Sequence, residues 1–132
     1  MRVTVNPEAQ ASGDFGYAAP GTYTLRCVGC TQKQSAGKQF PYLEWKFEFA
    51  DPNVPSVEKN GDGSSKKLGN IFEITTLKPD AQFALRDVCE AMGLTWGDFD
   101  TDEVKGLEAS AQVKLETYND KIKNVVGAWK KR

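Results

Sequence analysis

Apolar and polar positions alternate most cleanly between residues 42 and 49. There Leu43, Trp45, Phe47 and Phe49 share one side of an extended chain, and Tyr42, Glu44, Lys46 and Glu48 share the other. A period of two sends successive side chains to opposite faces, so this run predicts a half-buried strand. The same period starts at Gly21, where Tyr23, Leu25 and Cys27 alternate with Thr22, Thr24 and Arg26, predicting a strand that ends near Cys30. Between the two, Thr31 to Gln39 is polar, contains Gly37 and carries Lys33 and Lys38, which suits an exposed hairpin loop. Ile71 to Leu77, rich in β-branched and aromatic residues, predicts a third strand. Ala109, Ala111, Val113 and Leu115 alternate in a fourth. Asn119-Asp120 then supplies a turn, and Ile122 to Trp129 forms the second strand of a terminal hairpin.

One segment has the helical period instead. Ala84, Leu85, Val88, Cys89 and Met92 fall on one stripe at three-to-four spacing after Pro79-Asp80, and Gly93 supplies a stop. Asp98 to Leu107 reads as an acidic link with one short helical turn begun at Thr101. Asp51 to Asn70, with two prolines, three glycines and three serines, predicts a long irregular loop. The order is therefore three strands, one helix, two strands. That order predicts a mainly β fold, a five-stranded OB-like barrel with one helix between strands three and four. Residues 1–20 lack sustained periodicity and read as an irregular N-terminal arm, leaving 21–132 as the folded domain.

Composition narrows the function. With 132 residues the chain suits one ordinary domain. No apolar run approaches bilayer length, and residues 1–11 lack the pattern of a secretory signal, so no membrane contact and a cytoplasmic location are expected. Cys27, Cys30 and Cys89 read as free thiols. The chain has no histidine, which removes the commonest general base and the commonest metal ligand together, so no enzymatic activity, cofactor or metal is expected. Net charge is −1, but it is divided: residues 94–113 sum to −4 and residues 114–132 to +4. Such a chain can present one basic face although its total is near zero.

Three stretches carry a resemblance. Gly21-Thr-Tyr-Thr-Leu-Arg, then Lys33-Gln-Ser-Ala-Gly-Lys before Leu43-Glu-Trp-Lys-Phe-Glu-Phe, and finally Gln112-Val-Lys-Leu-Glu-Thr-Tyr-Asn-Asp-Lys-Ile-Lys-Asn124-Val-Val resemble phage-encoded single-stranded DNA-binding proteins of the OB fold. The similarity spans roughly Gly21 to Trp129 and is one of pattern. It implies sequence-independent single-stranded DNA binding in support of phage DNA replication or recombination, in the cytoplasm of the infected bacterial host. Replication or recombination proteins and a second copy of the chain are further candidate partners. Two features depart from the pattern: the long 51–70 insertion, and a Lys-Lys-Arg end where many such proteins carry an acidic recruiting tail.

Unspecific binding of a single strand needs cations for phosphate and flat rings on which bases stack. Candidate cations are Arg26, Lys33, Lys38, Lys46, Lys114, Lys121 and Lys123, and candidate rings are Phe40, Tyr42, Tyr118 and Trp129. Trp45, Phe47 and Phe49 share the face of Leu43 and are assigned to the core. Tyr42 and Lys46 lie on the other face, where a solvated surface is the plainer alternative. Trp129 could equally plug the end of the barrel.

Other chemistry is poorly supplied. Cys27-Val-Gly-Cys30 has metal-type spacing but lacks a fourth soft ligand, and an ideal strand would point the two thiols to opposite faces. Glu58, Asn60 and Asp62 mimic the start of a calcium loop whose twelfth position is Gly69 instead of a bidentate Glu. Glu44-Trp-Lys46 with Pro79-Asp80 reverses the order of a metal-dependent nuclease motif, and no phosphate-cradling glycine loop occurs. The principal alternative to nucleic-acid binding is a protein-interaction or virion-assembly module on the same fold.

Overall fold

A computed structural model describes residues 15–34, 37, 40–97, 100–118 and 120–130, the side chain of residue 118 excepted. Lys38 and the Tyr118 ring, both candidates above, lie outside the described residues. Five strands form one antiparallel sheet: β1 (Gly21–Lys33), β2 (Tyr42–Phe49), β3 (Ile71–Thr76), β4 (Glu108–Tyr118) and β5 (Lys121–Trp129), in the order β3-β2-β1-β4-β5. The long β1 serves both halves, pairing through 21–26 with β4 and through 25–33 with β2. The edge strands β3 and β5 come within 8 Å, Cα to Cα, without pairing, so the sheet is open and does not close into a hydrogen-bonded barrel.

The helical stretch after β3 begins later than Pro79-Asp80 suggests. Pro79–Ala81 forms a 3-10 turn, and the α-helix α1 runs from Phe83 to Ala91. Its stripe of Leu85, Val88 and Cys89, continued by Met92, is buried against the sheet. Gly93 adopts φ +81°, and the Leu94 amide donates back to the Cys89 carbonyl at 2.9 Å, a glycine-dependent stop. No helix of the described residues is long and apolar enough to cross a membrane.

The alternating residues supply the core. Leu25, Cys27, Leu43, Trp45, Phe47, Ala111 and Val113 are almost wholly buried, and the Trp45 indole N–H donates to the Thr75 hydroxyl at 2.9 Å, satisfying its one polar group. One feature of β1 differs from an ideal strand. Cys27 pairs with Phe47 and Gly29 with Lys46, so Val28 is an extra residue, a bulge that resets the alternation. Cys27 and Cys30 consequently both face the core, which corrects the expectation of opposite faces. Burial raises both thiols above the ordinary 9.0, Cys30 to about 12.

Residues 15–19 are built into the body without forming a helix or strand. Gly16 and Leu68 make a parallel bridge, with the Gly16 amide donating to the Lys67 carbonyl at 2.9 Å. The Val57 amide donates to the Tyr17 carbonyl at 2.8 Å, and Asn124 of β5 accepts from the Ala18 amide at 2.8 Å and donates to its carbonyl at 2.9 Å. This strap therefore ties the 51–70 loop to β5, beside the seam that β3 and β5 leave unpaired. Within the loop, Glu58 pairs with Lys66 at 3.4 Å. Asp62 accepts from the Ser64 hydroxyl and amide, bonds that hold its carboxyl below the usual range. The calcium-like run is thus a self-satisfied turn.

Candidate nucleic-acid interface

The register of β2 against β3 decides which side chains share the outward face. Leu43 pairs with Thr75, Trp45 with Glu73 and Phe47 with Ile71 on the inward side, so the pairs that alternate with them point to solvent. Those outward pairs are Tyr42–Thr76, Glu44–Ile74 and Lys46–Phe72. Phe72 and Ile74 are 56% and 58% exposed, unusual for such large apolar groups side by side. The Lys46 ammonium lies 6.0 Å from the centroid of the Phe72 ring, at the limit of a cation–π contact.

The structure distributes the other candidates unequally. Lys33 stands opposite Tyr42 at the end of β1 and pairs with Glu44 at 3.0 Å. Arg26 is held between Glu108 at 2.9 Å and Glu48 at 3.3 Å, two carboxylates that keep its guanidinium firmly charged. Lys46 makes no ion pair among the described residues. Phe40 is half-buried just before β2. Lys114 projects from β4 and lies against Gly127, its Cδ 3.4 Å from where a Cβ would stand there. Trp129 packs on the core, its ring centroid 4.9 Å from that of Phe47, and takes no part in the outward face.

Lys121 and Lys123 follow the β4–β5 turn, which Asp120 makes possible by adopting φ +62°. They line an open groove of about 360 Å³ whose other walls include Phe15, Tyr17 and Asn70. Asn70 immediately precedes β3 and is exposed. The outward face runs from Tyr42 and Thr76, past Ile74, to Phe72 and Lys46, and the groove beside Lys121 includes Asn70, two residues before Phe72 in the chain. Tyr42 and Lys46 share the outward face of β2 and β3 and Lys121 lines the groove, whereas Trp129 packs on the core and Arg26 is committed to acids.

Phe72, Ile74 and Phe15 were not singled out by sequence reasoning. The run Ile-Phe-Glu-Ile-Thr-Thr has no alternation of polarity to tell its inward side from its outward side. On the inward side the same strand places Glu73 opposite Trp45, where desolvation raises its carboxyl above the usual range. The three thiols are raised as well, Cys89 to about 11, which keeps them protonated and poor as ligands or nucleophiles at neutral pH. No group of three or more Cys, Asp or Glu among the described residues is placed to hold a metal ion. No protein-family model matches the sequence, and no match is found among curated proteins.

Proposed function

We propose that this protein binds single-stranded DNA without sequence preference along the outward face of β2 and β3, as a non-catalytic accessory of phage DNA replication or recombination. The observation that carries the reading is the exposed Phe72 ring with Lys46 beside it and Tyr42 farther along the same face. A ring open to solvent offers a base its flat side, and stacking is sequence-tolerant because every base has one. A neighbouring ammonium free of acids can meet the phosphate that follows. The strand order, with β3 and β5 close but unpaired, supports a partly open OB barrel, a fold that binds oligonucleotides through the face of strands two and three and the flanking loops. The resemblance to phage single-stranded DNA-binding proteins points the same way.

Fluorescence anisotropy with a labelled oligothymidine tests this directly. Binding is expected at low salt and should weaken as ionic strength rises. No binding at low salt, or binding indifferent to several hundred millimolar salt, refutes the reading. One observation favours a second: Phe72 and Ile74 sit on an edge strand, where exposed apolar side chains and unpaired backbone invite another protein chain. A partner recovered from nuclease-treated lysate, and lost on Phe72→Ala in a chain that binds no oligonucleotide, would establish that alternative.

A further inference from the structure

We propose that the groove between residues 15–17 and the β4–β5 turn is a second nucleotide subsite, in which Phe15 stacks on one base and Lys121 meets the adjoining phosphate. This rests on the reading of the β2–β3 face as a single-strand track and extends it past the end of β3. The two regions are adjacent, because Asn70, which lines the groove, is two residues from Phe72 in the chain. Two residues of extended chain span roughly 7 Å, a step one nucleotide can bridge.

The groove has the size and the fittings for one nucleotide. At about 360 Å³ it lies at the small end of ligand sites, which run from roughly 300 to 1,000 Å³, enough for one base with its sugar. Phe15 is 43% exposed, and its backbone is fixed next door by Gly16, which donates to Lys67 at 2.9 Å and accepts from Gly69 at 3.3 Å. The Phe15 side chain also rests over Gly69, where an added Cβ would stand only 3.3 Å from Phe15 Cβ. A ring already held in place loses little freedom on binding.

The groove offers one cation with no ion pair to meet a phosphate. Lys121 is exposed and makes no ion pair among the described residues, and Lys123 stands two positions on along β5. Of the two acids in the lining, Glu58 is engaged by Lys66 at 3.4 Å, leaving Asp120 as the acid next to Lys121. A larger groove of about 610 Å³ starts from the same Gly69 and Asn70 but offers no free ring. Its Phe49 lies edge-on to Tyr23 with ring centroids 5.2 Å apart and packs on the core.

The test uses the full chain with oligothymidines of about four and about ten nucleotides, since OB-type sites span roughly 4–16. Phe15→Ala and, separately, Lys121→Gln are measured by anisotropy, with melting curves to confirm folding. Both substitutions are expected to weaken the longer oligonucleotide about fivefold or more and to leave the shorter within about twofold, whereas Phe72→Ala weakens both. If wild type binds the longer oligonucleotide and both variants match it, the subsite is refuted while the β2–β3 reading stands. Equal losses at both lengths likewise overturn a separate subsite. Failure of the wild type to bind either length removes the track itself and this extension with it.

Discussion

Replacing Phe72 by Ala separates binding from stability, because the ring stands outward on an edge strand. It is 56% exposed, so less than half of its surface is buried on folding. Full burial of such a side chain stabilises by about 1.5–3 kcal/mol, which limits the loss here to roughly 1 kcal/mol, a shift of a few degrees in Tm. The binding loss should be larger. One base stacked on an aromatic ring contributes about 1–3 kcal/mol, and at about 1.4 kcal/mol per tenfold Phe72→Ala should raise Kd between about fivefold and a hundredfold. The assay is anisotropy titration of labelled oligothymidine beside a thermal melt of the same preparation. A variant that melts like wild type and binds within twofold of it would refute the assignment of Phe72 as a stacking platform.

Other outcomes follow from the same geometry. Lys46→Gln should flatten the slope of log affinity against log salt by about 0.7, the value expected for one phosphate contact on a single strand; an unchanged slope removes Lys46 from the site. Asn124→Ala should cost about 2–4 kcal/mol, since it strands both the amide and the carbonyl of the buried Ala18, and should lower the urea midpoint; a midpoint equal to wild type would show that the strap holds without it. The buried thiols favour the protonated form in the fold, with Cys89 at about 11 and Cys30 at about 12 against an ordinary 9.0, so their contribution is complete below about pH 9 and is lost as pH rises through those values. Cys30→Ala should therefore blunt the alkaline fall in Tm above pH 9, and parallel alkaline profiles would contradict this.

How far the fold could be read from sequence depended on whether one polarity alternated with the other. Leu43, Trp45 and Phe47 faced charged neighbours on every second position, and Leu85, Val88 and Cys89 shared a helical stripe, so their burial was legible. The Val28 bulge was not, because an extra residue in a ladder leaves local alternation on both sides plausible and shows only in the pairing with β2. Phe72 and Ile74 were hidden for a related reason: in a strand with apolar and polar residues on both faces, only register against β2 selects the exposed side. Arg26 read as a free cation since its partner Glu108 lies 82 positions away. The role of Phe15 depends on a bridge from Gly16 to Leu68 that no periodicity encodes.

Those long-range pairs also determine what kind of binder this face can be. Arg26 is matched by Glu48 and Glu108, and Lys33 by Glu44, so the middle of the outward face carries almost no net positive charge. Exposed ion pairs are weak, yet a phosphate approaching either cation must still approach its carboxylate. Lys46 and Lys121, which make no ion pair among the described residues, remain to meet phosphates, and two contacts at about 0.7 each give a salt slope near 1.4. Raising salt from 50 to 200 mM would then weaken binding only about sevenfold, against the thousandfold or more expected of a surface making six to ten phosphate contacts. For a chain of net charge −1, affinity on this face has to come chiefly from rings and only secondarily from lysines. A measured slope steeper than about 4 would mean that the strand follows a basic surface other than the one formed by β2, β3 and the β4–β5 turn.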